Sequence, residues 1–198
     1  MSKLTVIVPV YNQETLVLRA LESIPEQCEI IVVDDGSTDN TMNALLEFYN
    51  RRPDTIVLFN TENKGVSVAL NKGLDTATGD YIVLLGSDDY FYTEELERLM
   101  GEMDGTDLIY FNLCTNTGTI LSLTPDTKND LCGSVKLMRR EFIGNTRNLE
   151  DKKVGEDLFF FQELLAKNPT EKYTNIIAKH YNFPRVGSLT DMANKNKI

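Results

Sequence analysis

The chain has 198 residues and a formal net charge of −10, with 41% hydrophobic and 25% charged residues. That length suits one domain with a substantial core, and the acidic balance excludes non-specific nucleic-acid binding, which needs clustered Lys and Arg. No apolar run reaches the roughly 20 residues of a membrane span, and Leu4–Val10 is too short for a leader peptide, so a cytoplasmic protein is expected. The three cysteines (Cys28, Cys114, Cys132) are odd in number and lack metal-ligand spacing, which reads as thiols in a reducing compartment.

In chain order, Leu4–Val10 is a continuous β-branched run of the kind found in buried parallel strands. Asn12 can cap a helix carrying Val17, Ala20, Leu21 and Ile24, closed by Pro25. Glu29–Val33 reads as a second strand, and Asp39 can cap a second helix with Met42, Leu45, Leu46 and Tyr49 on one face. Thr55–Phe59 is a third strand, Ser67–Thr76 a third helix and Tyr81–Leu85 a fourth strand. Thr93 can cap a helix with Glu94 and Glu95 in its first turn, where the dipole favours acid, and with Leu96, Leu99, Met100 and Met103 facing inward. The second half is less regular. Asp107–Leu113 and Thr119–Leu123 read as strands around a turn at Asn116–Gly118, Pro125–Gly133 as a loop, Ser134–Ile143 and Gly155–Lys167 as helices, Lys172–Phe183 as a strand, and the tail from Thr190 as frayed. Strands alternating with helices imply an α/β fold with a mainly parallel sheet covered on both faces, and a small antiparallel part in the second half.

Ligands of such sheets sit beyond the carboxyl ends of the strands, which directs attention to Pro9–Asn12, Asp34–Asp39 and Gly86–Asp89. Asp34-Asp35 and Asp88-Asp89 are adjacent carboxylates, and a third acidic pair, Glu156-Asp157, opens a helix. One acidic pair is commonly just a cap. Two at one sheet edge repel and need a cation or strong donors. A Mg²⁺ or Mn²⁺ ion would meet that need, because such ions bind through one or two carboxylates plus substrate phosphates. The residues alone therefore reach metal-assisted chemistry on a nucleotide diphosphate, and no further.

Val6-Ile7-Val8-Pro9-Val10-Tyr11-Asn12, Val33 to Thr41, Asn63-Lys64-Gly65, Ala69 with Asn71-Lys72-Gly73, Gly79-Asp80-Tyr81 and Ser87-Asp88-Asp89 follow one another in this order. In that series the chain resembles the family-2 inverting glycosyltransferases of GT-A fold. Beyond Met100 the resemblance thins to Gly155-Glu156-Asp157 and to Tyr181, Arg185 and Ser188. It implies a single domain over 1–198, with 1–100 binding the nucleotide sugar and 101–198 the acceptor. It implies that Pro9, Tyr11, Asn12 and Asp35 bind the donor nucleotide, that Asp88 approaches the ribose, that Asp89 holds Mn²⁺ or Mg²⁺, and that Asp157 is the catalytic base. A UDP-sugar is the implied donor and a glycan or lipid-linked species the acceptor, in cell-surface polysaccharide or glycan assembly at or near the inner face of the membrane. Gly86 departs from the pattern, since the family often carries Asp there.

Lys64 and Arg139 or Arg140 are candidate phosphate partners, set against the ordinary reading of surface charges. His180 reads as a strand residue making a structural hydrogen bond, and Phe159, Phe160 and Phe161 as mostly core. A phospho-receiver domain fails on position, because its paired acids follow the first strand. A dehydrogenase of the dinucleotide-binding type fails for want of a Gly-rich first turn, and a nucleotidyltransferase for want of a Gly-rich basic loop. The remaining alternative is a catalytically inactive nucleotide-binding relative serving as a scaffold.

Overall fold

The computed structural model describes residues 2–60, 62–127, 135–150 and 156–183. Cys132, Gly155, Arg185, Ser188 and the tail from Thr190 lie outside the described residues.

Among the described residues nine strands form one sheet: β1 (Leu4–Val10), β2 (Glu29–Asp34), β3 (Ile56–Phe59), β4 (Tyr81–Leu84), β5 (Tyr90–Phe91), β6 (Leu108–Thr115), β7 (Ile120–Leu121), β8 (Lys136–Arg139) and β9 (Glu171–Tyr181). Their order is β3-β2-β1-β4-β8-β6-β9-β5, with β7 beside β6. β1 pairs in parallel with β2 and β4, β2 with β3, and β6 with β9. The antiparallel pairs are β4–β8, β6–β8, β6–β7 and β5–β9, all involving the second half or the two-residue β5.

The described helices cover the sheet: α1 (Val17–Glu22), α2 (Thr41–Arg51), α3 (Val66–Thr76), α4 (Thr93–Met100), α5 (Arg140–Ile143) and α6 (Glu156–Ala166). Side chains alternate across a strand, so buried β1 and β2 feed two cores. Leu4, Val6, Val8, Ile30 and Val32 pack with Val17 of α1, Leu45 and Phe48 of α2 and Leu96 of α4. Ile7, Ile31 and Val33 pack on the other face with Leu70 and Leu74 of α3 and Phe161 and Leu164 of α6. Pro9 stands in this central strand without cost to the ladder. It lies past Ile7↔Leu84, the last β1–β4 pair, on the side where its missing N–H has no strand to meet.

Several expectations are corrected. Residues 136–139 form strand β8, not a helix, because the sheet leaves a place between β4 and β6; only the short α5 follows. On α2 the buried face is Thr41, Ala44, Leu45 and Phe48, itself an i, i+3, i+4, i+7 set, while Leu46 and Tyr49 are exposed. Asn12 does not cap α1, which starts five residues later after a turn closed on the Gln13 carbonyl. Thr93 opens α4 as its first residue and donates instead to the Ser23 carbonyl. Phe160 and Phe161 are core, but Phe159 is exposed. Cys28 is buried, and burial pushes its thiol up to about 12, which suits an inert thiol.

Candidate active site

The carboxyl ends of β1, β2, β3 and β4 lie at one edge of the sheet, and the end of β9 joins them because β6 and β9 run parallel to β4. At this edge Tyr11 is exposed and Pro9 half-buried. Asn12 adopts φ 51° and ties two loops together. Its N–H donates to Ser37 Oγ at 2.9 Å, and its Oδ1 accepts from the Thr38 N–H at 2.8 Å.

The acids after β2 are held by nearby donors. Asp34 Oδ1 accepts from Ser37 N–H at 2.9 Å and from Ser37 Oγ at 2.6 Å, closing the turn. Asp35 is buried and pins the loop after β3: Oδ1 accepts from Asn60 Nδ2 at 2.7 Å and Lys64 N–H at 3.0 Å, and Oδ2 from Gly65 N–H at 2.7 Å. The two loops touch at Gly36, where φ is +77° and an added Cβ would stand 2.7 Å from the Glu62 carbonyl carbon. Only glycine fits that combination.

After β4, residues 86–89 make a turn in which Asp89 N–H donates to the Gly86 carbonyl at 3.0 Å. The two carboxylates lean over Gly86. A Cβ there would lie 3.1 Å from both Asp88 Oδ1 and Asp89 Oδ2, which gives a physical reason for the departure at this position. Asp88 is half-buried and Asp89 is 3% exposed. Asp89 Oδ2 forms an ion pair at 2.7 Å with Lys179 Nζ, itself buried, and Oδ1 accepts from Asn182 N–H at 2.8 Å.

A second cation stands beside them. Arg19, exposed on α1, donates from Nη2 to the Asp88 carbonyl at 2.7 Å and lies over the Tyr90 ring at 4.8 Å. Tyr90 in turn stacks on His180 at 4.5 Å, and Tyr92 meets both rings edge-on. His180 Nδ1 is buried without a hydrogen-bond partner among the described residues, so the expected structural hydrogen bond is not made there. Burial, then the Arg19 cation, lowers the His180 pKa against the pull of Asp89.

The residues do not fit a divalent ion at Asp89 as they stand. Both oxygens of that carboxylate are engaged, one of them by a buried ammonium that a second cation would repel. No three His, Cys, Asp or Glu side chains are grouped to hold a metal among the described residues. Lys179 and Arg19 are the site residues that sequence reasoning passed over. The available signal was a lysine ending the apolar run Ile176-Ile177-Ala178, where a charge needs a partner.

Other candidates fall elsewhere. Arg139 sits beside Tyr81 at the opposite edge, bonded to Asp107, and Arg140 Nε donates to the Gly79 carbonyl, which removes both from any phosphate at the acidic edge. Lys64 is half-exposed at the edge, 3.9 Å from Glu62. Asp157 lies in the first turn of α6, partly exposed, on a helix anchored by Phe160, Phe161 and Leu164. A groove of about 460 Å³ between α4, the β6–β7 hairpin and β9 is lined by Tyr92, Glu95, Arg98, Cys114, Ile120 and Ile177, among others, and by none of the expected site residues.

Comparison with known proteins gives the family and the fold. A glycosyltransferase of Haemophilus influenzae is 29% identical over the whole chain, which spans 84% of that protein. Glycosyltransferase GlyA of Streptococcus pneumoniae is 41% identical over 49% of the chain, but only 14% of its own length is matched. Among solved structures, S. aureus TarS 1–349 in complex with UDP-GlcNAc superposes with TM-score 0.80 at 23% identity, over 94% of this chain and 60% of that one. The mannosyltransferase PcManGT of Pyrobaculum calidifontis, in complex with GDP-Man and Mn²⁺, gives 0.71 at 22%, over 94% and 58%. Both likenesses establish the GT-A fold. The model of Glycosyl transferase family 2 matches residues 5–148, and the chain belongs to that family.

Proposed function

We propose that this chain transfers a glycosyl group from a nucleotide-diphosphate sugar to an acceptor hydroxyl. The observation that carries this reading is the convergence, at one sheet edge, of an exposed aromatic ring, a loop pinned by Asp35 and two carboxylates leaning over Gly86. Tyr11 offers a flat face on which a base can stack. A carboxylate has about four acceptor positions, and Asp35 uses three of them among the described residues; the reading gives another to a base N–H. Pro9 would line the base pocket with Tyr11, Asn12 ties the two loops together, and half-buried Asp88 would approach a ribose hydroxyl. TarS with UDP-GlcNAc and PcManGT with GDP-Man support a nucleotide-sugar donor; uridine diphosphate is the default carrier.

In the transfer, Asp157 accepts the proton of the acceptor hydroxyl as its oxygen attacks the anomeric carbon. The bond from that carbon to the diphosphate oxygen breaks, and its electron pair leaves with the diphosphate. Attack from the face opposite the leaving group inverts the centre. The family resemblance implies a Mn²⁺ or Mg²⁺ ion, and PcManGT contains Mn²⁺, but in this chain both Asp89 oxygens are already taken, one by the Lys179 ammonium. A glycan or lipid-linked acceptor, reached at a membrane face, completes the reading; among the described residues no helix is long and apolar enough to cross a membrane.

Calorimetry with UDP, GDP and their sugars, coupled to an assay for released nucleoside diphosphate, tests this. Asp157→Asn should bind donor normally and lose transfer by about 10²–10⁴-fold. Equal loss of binding and transfer would make Asp157 a donor-site or structural residue. A folded chain that binds no nucleotide would favour the inactive scaffold.

A further inference from the structure

We propose that Lys179, with Arg19 beside it, supplies the positive charge of the acidic edge, and that the chain takes a nucleoside diphosphate without a divalent cation. The inference rests on the transferase reading and deepens it. Two adjacent carboxylates cannot face a diphosphate unaided. Here Asp89 already has a full positive charge at 2.7 Å, from an ammonium that is 1% exposed and so weakly screened by salt. Lys179 is fixed there by the β5–β9 pairing, which sets it across from Phe91, two residues beyond Asp89. The adjoining Asn182 N–H locks the other oxygen. A divalent ion at Asp89 would have to displace both partners.

Arg19 supplies the accessible half. Its guanidinium is exposed, is aimed by the Asp88 carbonyl, and lies over the Tyr90 ring, which is itself stacked on His180. A planar guanidinium held this way presents its remaining N–H groups to phosphate oxygens. Lys179 and Arg19 together carry the formal charge of one divalent ion, built into strand and helix rather than recruited from solution.

The test pairs two measurements on the full chain. Mn²⁺ titration followed by electron paramagnetic resonance reads the metal directly, without nucleotide. Calorimetry with UDP and GDP, in chelator and then in Mn²⁺, reads the nucleotide. The wild type should hold no Mn²⁺, and its nucleotide affinity should change by less than about threefold between the two conditions. Arg19→Gln, an exposed change that spares folding, should weaken binding in chelator about tenfold, as expected for a lost charge-assisted hydrogen bond. Lys179→Met, checked as folded by its melting transition, should gain a Mn²⁺ site. Mn²⁺ bound by the wild type and lost in Asp89→Asn, with nucleotide binding only in metal, would overturn the inference and leave the transferase reading standing. No nucleotide binding in either condition would sink the transferase reading, and the resonance titration would still decide whether Lys179 occupies the cation position.

Discussion

At the amino-terminal edge of the parallel strands, buried carboxylates sit among threonines. At the carboxyl-terminal edge, Asp89 sits against a lysine from the far end of the chain. Glu29 accepts from Thr5 Oγ1, Thr78 Oγ1, Thr78 N–H and Gly79 N–H, with Lys3 nearby. Asp107 accepts from Arg139 on one oxygen and from Thr170 on the other. Those carboxylates are surrounded by donors on the flanking turns and gather strand starts into one mat. At the other edge Asp88 is half-open, and Asp89 depends on a single buried ammonium and one amide. The difference separates carboxylates closed off by several donors, Glu29 and Asp107, from the turn of Asp88 and Asp89, which stays partly open and is kept in charge balance by few cations.

The comparison is broken most strongly at Lys179. Lys179→Met leaves Asp89 buried and unpaired, and should cost about 3–5 kcal/mol of stability in urea unfolding. Asp89→Asn in the same background should recover part of that loss, and additivity of the two changes would refute the pairing. Glu29→Gln should cost less, about 1–3 kcal/mol, because one substitution disturbs several hydrogen bonds. Nucleotide affinity should stay unchanged, since Glu29 lies at the opposite edge. If affinity falls with it, the two edges are not separable.

Acid sharpens the contrast. Burial alone would raise the Glu29 pKa, but the hydrogen bonds of Thr5 and Thr78, with Lys3, bring it down to about 2. Asp107 is lowered too, where the Thr170 and Arg139 donors overcome the cost of burial. A carboxylate with a depressed folded pKa stabilises fully above its unfolded pKa of about 4.5 and loses that contribution as pH falls toward about 2. Stability of the wild type should therefore decline through this window, and Glu29→Gln should decline less steeply. The smallest effect is expected at Gly86→Ala, about 1 kcal/mol or less in stability. Its methyl would press on both acidic side chains at 3.1 Å, so the change should register in nucleotide binding instead.

Legibility in the sequence followed the same division. β1 to β4 are nearly continuous apolar runs between turn residues, and the spans read from them agree with the structure to within one residue at each end. Such strands state their burial locally. β5 and β8 have no signal of their own: two residues and four, they are strands only because β9, β4 and β6 offer them partners. The acids of the edge were visible because they directly follow strands. Their partners were not, because Lys179, Asn182 and Arg19 arrive from 90, 93 and 69 residues away along the chain. The partners of Arg139 and Arg140 were hidden for the same reason, since their position depends on the unanticipated β8.

The staple between Asp89 and Asn182 also sets an order of assembly. During synthesis the first four strands and their helices can collapse while later residues are still being added, because their contacts are comparatively local. The acidic turn cannot be finished then: its closing amide belongs to residue 182, 93 positions downstream. Until β9 arrives the nascent chain carries a folded scaffold with a bare, self-repelling pair of carboxylates. The turn of Asp88 and Asp89 is thus the last part of the acidic edge to close, and a chain interrupted before β9 would keep β1 to β4 and leave that turn unpaired.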